Sequence, residues 1–255
     1  MPVERNGWSE TAVRDAAPGW VPEARFLAET DSTNSDALAW AARGAPDGAI
    51  VVADFQRDGQ GRLGRSWFAP PGKSLLLTVI LRPRLDPQAL ALINLAGAVA
   101  VCDAVREEGI EASIKWPNDV IAGDRKLAGI LSEHRFDAVC LGVGINVNVE
   151  SFPGEIAAVA TSLFIEAGRP IGRGAILRRF LDRFEPLYRG LPGSVPEPFR
   201  RRCSTLGRRV RVNLPQTTLE GTAIDIDPTG ALILDTVDVV SAGDVVHVRH
   251  REGTS

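Results

Sequence analysis

The stretch Asp58-Gly-Gln-Gly-Arg-Leu-Gly-Arg-Ser-Trp-Phe68 reads in more than one way, and the choice decides the fold. Gly59, Gly61 and Gly64 fit the G-x-G-x-x-G spacing of a dinucleotide fold, while Gly59, Gly64, Arg65 and Ser66 come within one lysine of a P-loop. Both motifs require a helix to begin at the last glycine, so that its free amides face a phosphate. Trp67, Phe68, Pro70 and Pro71 oppose a helix there. Upstream, Ala49 to Phe55 is an apolar run that reads as a buried strand, and downstream Leu75 to Leu81 reads as another. The loop therefore joins strand to strand, and both nucleotide-fold readings are set aside.

Working outward, Asp31 and Ser32 are candidate N-caps for a short Ala-rich helix closed by Gly44 and Pro46, preceded by a polar tail to about Val21. Leu90 to Glu107 is mostly apolar and ends at Gly109, the pattern of a buried helix. A short strand to Lys115, a break at Pro117, a hairpin around Gly123 and Asp124, and a strand from about Leu127 follow. Ala138 to Val147 reads as a strand, Gly172 to Tyr188 as an amphipathic helix and Pro196 to about Thr205 as a short one. From Leu206 the character changes to four short β-rich runs split by turn signals such as Asp227-Pro228-Thr229-Gly230, which read as a small β-barrel.

The 255 residues, 44% hydrophobic and 24% charged, suit one sizeable domain and a smaller second one. A net charge of -3 argues against bulk nucleic acid or an anionic membrane as main partner. Cys102, Cys140 and Cys203 are widely spaced, without a C-x-x-C, so neither a disulfide framework nor a zinc site is expected. Glu4, Glu10 and Asp15 interrupt any signal-peptide pattern, and the expected home is the cytoplasm. His134, His247 and His250 are the only histidines and no G-x-S-x-G elbow exists, which leaves a covalent triad unsupported. Among 29 basic residues only Lys73, Lys115 and Lys126 are lysines, all in the central stretch, a sign that a compact ammonium is wanted there.

Ser32-Thr33-Asn34, the loop from Gln56 to Trp67, Lys115-Trp116-Pro117-Asn118-Asp119, Arg125-Lys126-Leu127-Ala128-Gly129-Ile130 and Gly142-Val143-Gly144-Ile145-Asn146 together resemble the biotin-protein ligases. The resemblance implies an α+β fold: a mixed β-sheet backed by helices, class II synthetase-like, with a small C-terminal SH3-like β-barrel. It divides the chain into a tail (1–25), a catalytic biotin- and ATP-binding domain (26–204) and the β domain (205–255).

It further implies ATP-dependent activation of biotin as biotinyl-5'-AMP, with Mg2+, and transfer to a lysine of a carboxylase's biotin carboxyl carrier protein. Two anions must meet in such a site, so fixed cations and backbone amides have to hold them. By resemblance Ser32, Thr33, Asn34 and Gln56 match positions that hold the biotin ring, and Gln60, Gly61 and Arg62 line the carboxylate and phosphate region. Lys126 matches a lysine shared by biotin and the α-phosphate, and Arg62, Arg65 and Lys126 supply the positive charge. Gly59, Gly64, Arg65, Trp67, Lys115, Asn118 and Asn146 are assigned to ATP, the glycines for close backbone approach and positive φ. Asp119 matches a carboxylate that receives or orients the incoming lysine. Metal ligands are unknown.

Many family members have Arg where this chain has Gln60, which removes one charge from the loop. Lys73 has no counterpart in these motifs. Arg200, Arg201, Arg202, Arg208, Arg209 and Arg211 form a basic cluster that reads as a solvated face or as a dock for an acidic carrier. The rival readings are a lipoate-protein ligase, a silent biotin- or nucleotide-binding module, and a DNA-binding regulator. About 30 residues precede Ser32, few for three packed helices, so no nucleic-acid role is expected. A homodimer stays open.

Overall fold

The computed structural model describes residues 8–248 except Phe136, Pro215 and Ala242; the chain's two ends, and with them His250, lie outside the described residues. In chain order the elements are α1 (Glu10–Ala16), β1 (Ala24–Leu27), α2 (Thr33–Ala41), β2 (Ile50–Ala53), β3 (Ser74–Leu81), α3 (Ala91–Arg106), β4 (Ala112–Lys115), β5 (Asp119–Ala122), β6 (Arg125–Arg135) and β7 (Ala138–Asn146). Then come α4 (Leu163–Ala167), α5 (Arg173–Arg189), α6 (Pro196–Arg202), β8 (Arg209–Asn213), β9 (Thr218–Ile226), β10 (Leu232–Leu234), β11 (Val239–Val240) and β12 (Asp244–His247).

A seven-stranded sheet has the order β1-β2-β3-β7-β6-β5-β4. Its β1–β2 pair is parallel and the rest are antiparallel, so the sheet is mixed. Alternation along β7 explains why the site lies where it does. Val139, Leu141, Val143 and Ile145 point into the main core, where the apolar residues of α3 and α5 also pack. Their neighbours Cys140, Gly142, Gly144 and Asn146 face the other way, and three of these four are glycine or polar. One face is filled for stability, and the other is left hollow.

On the filled side α3 lies close to the sheet because Gly97 meets Ile130 and Leu141; a Cβ there would sit 3.2 Å from Ile130. The stretch Pro87–Arg106 is long and apolar enough to cross a bilayer by composition, but it contains α3 and is mostly packed inside the molecule. On the hollow side α2 covers only the end of the sheet, packing Ala37, Trp40 and Ala41 on Val51, Ile80 and Cys140.

The N-terminal region differs from the expected polar tail. Ser9 caps α1 through Ala12 N, Trp8 and Val13 are buried, and β1 extends the sheet by pairing with β2. A seven-residue helix with a single buried position leaves almost no periodic trace, so its sequence looks like tail.

After α6 a five-stranded antiparallel sheet has the order β11-β10-β9-β8-β12, one strand more than the β-rich runs suggested, the addition being the two-residue β11. It docks against the large sheet through Trp116, whose indole Nε1 donates to Gly230 O at 3.0 Å. The basic cluster divides: Arg200 pairs with Asp225, Arg202 with Asp103 and Arg208 with Asp124, whereas Arg209 and Arg211 pair with Glu220 inside the small sheet, and Arg201, Arg208, Arg209 and Arg211 are exposed, so the expected solvated face is there in part. Arg201 faces Glu197 of its own helix at 3.9 Å.

Candidate active site

Gly129 of β6 and Gly142 and Gly144 of β7 floor a cavity on the hollow face of the large sheet. The register places Gly129 opposite Gly144 and Leu131 opposite Gly142, so bare backbone forms a continuous patch. The space above it is already in use. A Cβ on Gly142 would lie 2.4 Å from Asn34 Oδ1, and one on Gly144 2.7 Å from the ring of Trp67. Neither position admits a side chain as the neighbours stand.

The cavity has a narrow end and a wide one, called the closed and the open end below. Ser32, Thr33, Asn34, Gln56, Gln60, Gly61, Arg62, Trp67, Asn118 and Lys126 line the first, with about 550 Å³ of empty space; Leu131, Glu133 and the three floor glycines complete it. The second, wider at about 1330 Å³, is lined by Gly61, Arg62, Arg65, Trp67, Lys115, Asn118, Asp119, Lys126 and Asn146 among others. Gly61, Arg62, Trp67, Asn118 and Lys126 belong to both and form the seam. Gly59 and Gly64 line neither.

At the closed end hydrogen bonds run from α2 to β6. The backbone N of Thr33 and its hydroxyl donate to Gln56 Oε1 at 2.9 and 2.8 Å. Gln56 thus caps α2, whereas Ser32, the N-cap residue, makes no side-chain capping bond and lines the cavity. Thr78 Oγ1 lies 2.7 Å from Asn34 Oδ1 and 2.9 Å from Thr33 Oγ1, and Asn34 Nδ2 donates to Glu133 at 2.7 Å.

At the seam, Arg62 Nη1 donates to Asn118 Oδ1 at 3.1 Å, and Asn118 Nδ2 in turn donates to Ile130 O at 2.8 Å. Burial pulls the Arg62 guanidinium below its ordinary value, while Asp119 and Asp244 pull it back. Lys126 Nζ sits 2.7 Å from Asp119 Oδ1 and 5.4 Å from the centre of the Trp67 ring. Simple alternation from Gly129 would send Lys126 into the core with Ala128 and Ile130. A β-bulge prevents this: Val120 pairs with Ala128 and Ile121 with Lys126, leaving Leu127 unmatched on β5. The extra residue re-aims Lys126 onto the site face.

Arg65 reaches across to the C-terminal module and bonds Asp244 at 2.7 Å, which raises its pKa. The loop that carries Arg62 and Arg65 folds back on itself, with Trp67 N donating to Gly59 O at 2.7 Å and Gly61 N to Arg65 O at 2.6 Å. Of its three glycines only Gly64 has positive φ, shared unexpectedly with Leu63, so positive φ does not explain Gly59 and Gly61. Gly59 is needed for closeness, since a Cβ would meet Gln56 Nε2 at 2.9 Å. Asn146 gives its Nδ2 to Thr161 O, while its buried Oδ1 and the buried Nε1 of Trp67 have no partner. Lys73 pairs with Glu150 at 2.6 Å, outside both compartments.

Glu133, Thr78 and Asp244 belong to the site but were not singled out from the sequence. A signal for Glu133 existed: once Gly129 is assigned to the site face, a period of two carries Leu131 and Glu133 with it. Thr78 is the one polar residue inside the Ser74–Leu81 run after its first position. Nothing local marks Asp244.

Known proteins resemble this chain over most of its length. Residues 26–150 match the family described as Biotin/lipoate A/B protein ligase, and residues 205–248 match the Biotin protein ligase C terminal domain. The chain is 40% identical to the biotin--[acetyl-CoA-carboxylase] ligase of Mycobacterium tuberculosis, covering 94% of this chain and 96% of that protein. It is 36% identical to the bifunctional ligase/repressor BirA of Bacillus subtilis over 80% of this chain and 67% of that one. Among solved structures, the biotin protein ligase of Aquifex aeolicus in complex with biotin and ATP superposes with a TM-score of 0.77 at 27% identity, covering 89% of this chain and 99% of that one.

Proposed function

The chain belongs to the biotin/lipoate A/B protein ligase family, and from that premise we propose that it is a biotin-protein ligase whose two compartments hold biotin and ATP end to end. The observation that carries the reading is the seam: Arg62 and Lys126, from separate turns, line both compartments at once. That is where a carboxylate and an α-phosphate must meet, and fixed positive charge there offsets their repulsion.

In this reading a biotin carboxylate oxygen attacks the α-phosphorus. An acyl–O–P bond forms, the α–β phosphoanhydride breaks and pyrophosphate departs. Lys126 leaves Asp119 for the anions, because both its present partner and the arriving ligands compete for one ammonium. Asp119, released, faces the open compartment and orients the ammonium of a carrier lysine, which gives up a proton to this carboxylate; the free amine then attacks the acyl carbon, the acyl–O bond breaks, AMP leaves with the bonding pair and the second amine proton passes to solvent. Gln56, Thr33, Asn34 and Ser32 hold the ring end of the acid, and Gln60 and Gly61 line the approach to the seam. Arg65, Lys115, Trp67, Asn118 and Asn146 serve the nucleotide, with the orphaned Asn146 Oδ1 an acceptor for a ligand N–H.

No cluster of three or more His, Cys, Asp or Glu side chains is present among the described residues. This fits a Mg2+ held mainly by triphosphate oxygens, with Asp119 and Asp244 the carboxylates at hand. Bound there, the ion would neutralise phosphate charge.

Lipoate is the nearest rival acid. The closed end favours biotin, because Ser32, Thr33, Asn34, Gln56 and Glu133 line it with hydrogen-bonding groups that a ring carrying N–H and C=O can use and a dithiolane ring cannot. Pyrophosphate release from ATP with biotin, lipoate and octanoate in parallel tests this. Release with biotin, and its loss in Lys126→Ala, is expected. A preference for lipoate would overturn the choice of acid, and no release with any of them would leave only a binding module.

A further inference from the structure

The closed end is held in one polarity by a residue that no motif assigns. Glu133 is a carboxylate on β6, and among the described residues no Lys, Arg or His forms an ion pair with it. Its hydrogen bond is to Asn34 Nδ2 at 2.7 Å, and the backbone oxygen of Leu131 lies 3.4 Å from the same nitrogen. Both of these partners can only accept, so Asn34 must present its NH₂ to them and its Oδ1 to Thr78.

The consequence passes along the chain. Oδ1 can only accept, so the Thr78 hydroxyl spends its single proton on Asn34 at 2.7 Å. Thr78 then has only lone pairs left for Thr33, 2.9 Å away. From the other side, the backbone N–H of Thr33 fixes Gln56 with Oε1 inward at 2.9 Å. The Thr33 hydroxyl proton therefore lies between two acceptors, Thr78 Oγ1 and Gln56 Oε1, and is committed to the protein whichever it takes. What Thr33 Oγ1 can offer a ligand is a lone pair. Asn34, Thr33 and Thr78 are 7%, 4% and 0% exposed, so little water competes for these bonds.

We propose that Glu133 is a specificity-determining positioning residue: as an acceptor-only terminus it orients Asn34, Thr78 and Thr33 so that the closed end accepts N–H donors, the chemistry of a cyclic urea. The inference rests on reading this cavity as the biotin site. Pyrophosphate release by the wild-type protein tests that reading separately. An amide in place of the carboxylate can donate as well as accept, so Glu133→Gln lets Asn34 turn over and the chain reverse without a change of shape.

The experiment measures KM for biotin and kcat for pyrophosphate release, with octanoate, which has no N–H, as a competitive inhibitor. Glu133→Gln is expected to raise the biotin KM roughly 10-fold, with kcat changed by less than about 2-fold and the octanoate inhibition constant unmoved. Thr78→Val, which cuts the chain without touching Glu133, is expected to shift the biotin KM in the same direction. An unchanged biotin KM in Glu133→Gln overturns the proposal. So does a parallel rise in the biotin and octanoate constants, which would mark Glu133 as merely structural, or a fall confined to kcat.

Discussion

At the closed end of the cavity, polar atoms satisfy one another through Gln56, Thr33, Thr78, Asn34 and Glu133; at the open end, Lys126 and Arg65 are held by Asp119 and Asp244. Away from the shared Arg62 and Lys126 the closed end is neutral apart from one carboxylate, and it is built on α2 and the sheet. The open end mixes four cations with three carboxylates, is partly solvated and is built on turns and on a contact with another module. The difference follows from what each must do. A ring with fixed N–H and C=O positions is recognised by groups that do not move, whereas two anions brought together are best met by cations whose present partners can be displaced.

The largest effect should come from the seam. Arg62→Ala removes a half-buried guanidinium from both compartments, and adenylation is expected to fall by about 10² to 10³ in kcat while the thermal midpoint changes little. If binding of biotin alone collapses equally, the division between the ends fails.

Next comes the floor. Gly142→Ala pushes a methyl to within 2.4 Å of Asn34 Oδ1, so the closed end must distort. The biotin KM is expected to rise by at least about 10-fold with the ATP KM within about 2-fold, read from initial rates. A matched change in both constants would dissolve the comparison.

A smaller effect is expected where the modules touch. Asp244→Asn frees Arg65, whose side chain is 66% exposed, so its ion pair contributes little stability, on the order of 0 to 1 kcal/mol. The predicted outcome is a change of about 3-fold in the ATP KM, in either direction, with the biotin KM constant.

The smallest expected effect is on stability and concerns the junction behind the open end. His247 lies 3.1 Å from Thr205 Oγ1, and burial, with Lys115 and Arg208 close by against Asp124, pushes its pKa down from 6.5 to about 4. Between these values the unfolded chain binds the extra proton and the folded one does not, so this contribution is present above pH 6.5 and is lost as pH falls toward 4. Thermal midpoints of wild type and His247→Gln should therefore converge as the pH drops through that window. Parallel curves would contradict it.

Much of this was legible in the sequence because its cause is local. The turn residues around the glycine-rich loop excluded a helix, and the run from Ala138 to Val147 read as the strand that it is, although not as the floor of a cavity. What was hidden depends on tertiary placement. Asp244 meets Arg65 only because two modules dock, and the bulge at Leu127 that turns Lys126 outward is a feature of pairing rather than of sequence. Of the six arginines between Arg200 and Arg211, four are exposed as a surface patch would be, but the pairing of Arg200 with Asp225 and of Arg202 with Asp103 was hidden because those carboxylates lie on other elements. The N-terminal helix escaped notice because a single buried valine carries no period.

The most direct test of the two-ended account is calorimetric titration of Lys126→Ala with biotin, alongside pyrophosphate release by the same protein. The account predicts biotin binding within about 10-fold of wild type, retained by the closed end, with pyrophosphate release reduced by at least about 100-fold. Release at the wild-type rate, or loss of biotin binding as complete as the loss of release, would contradict it.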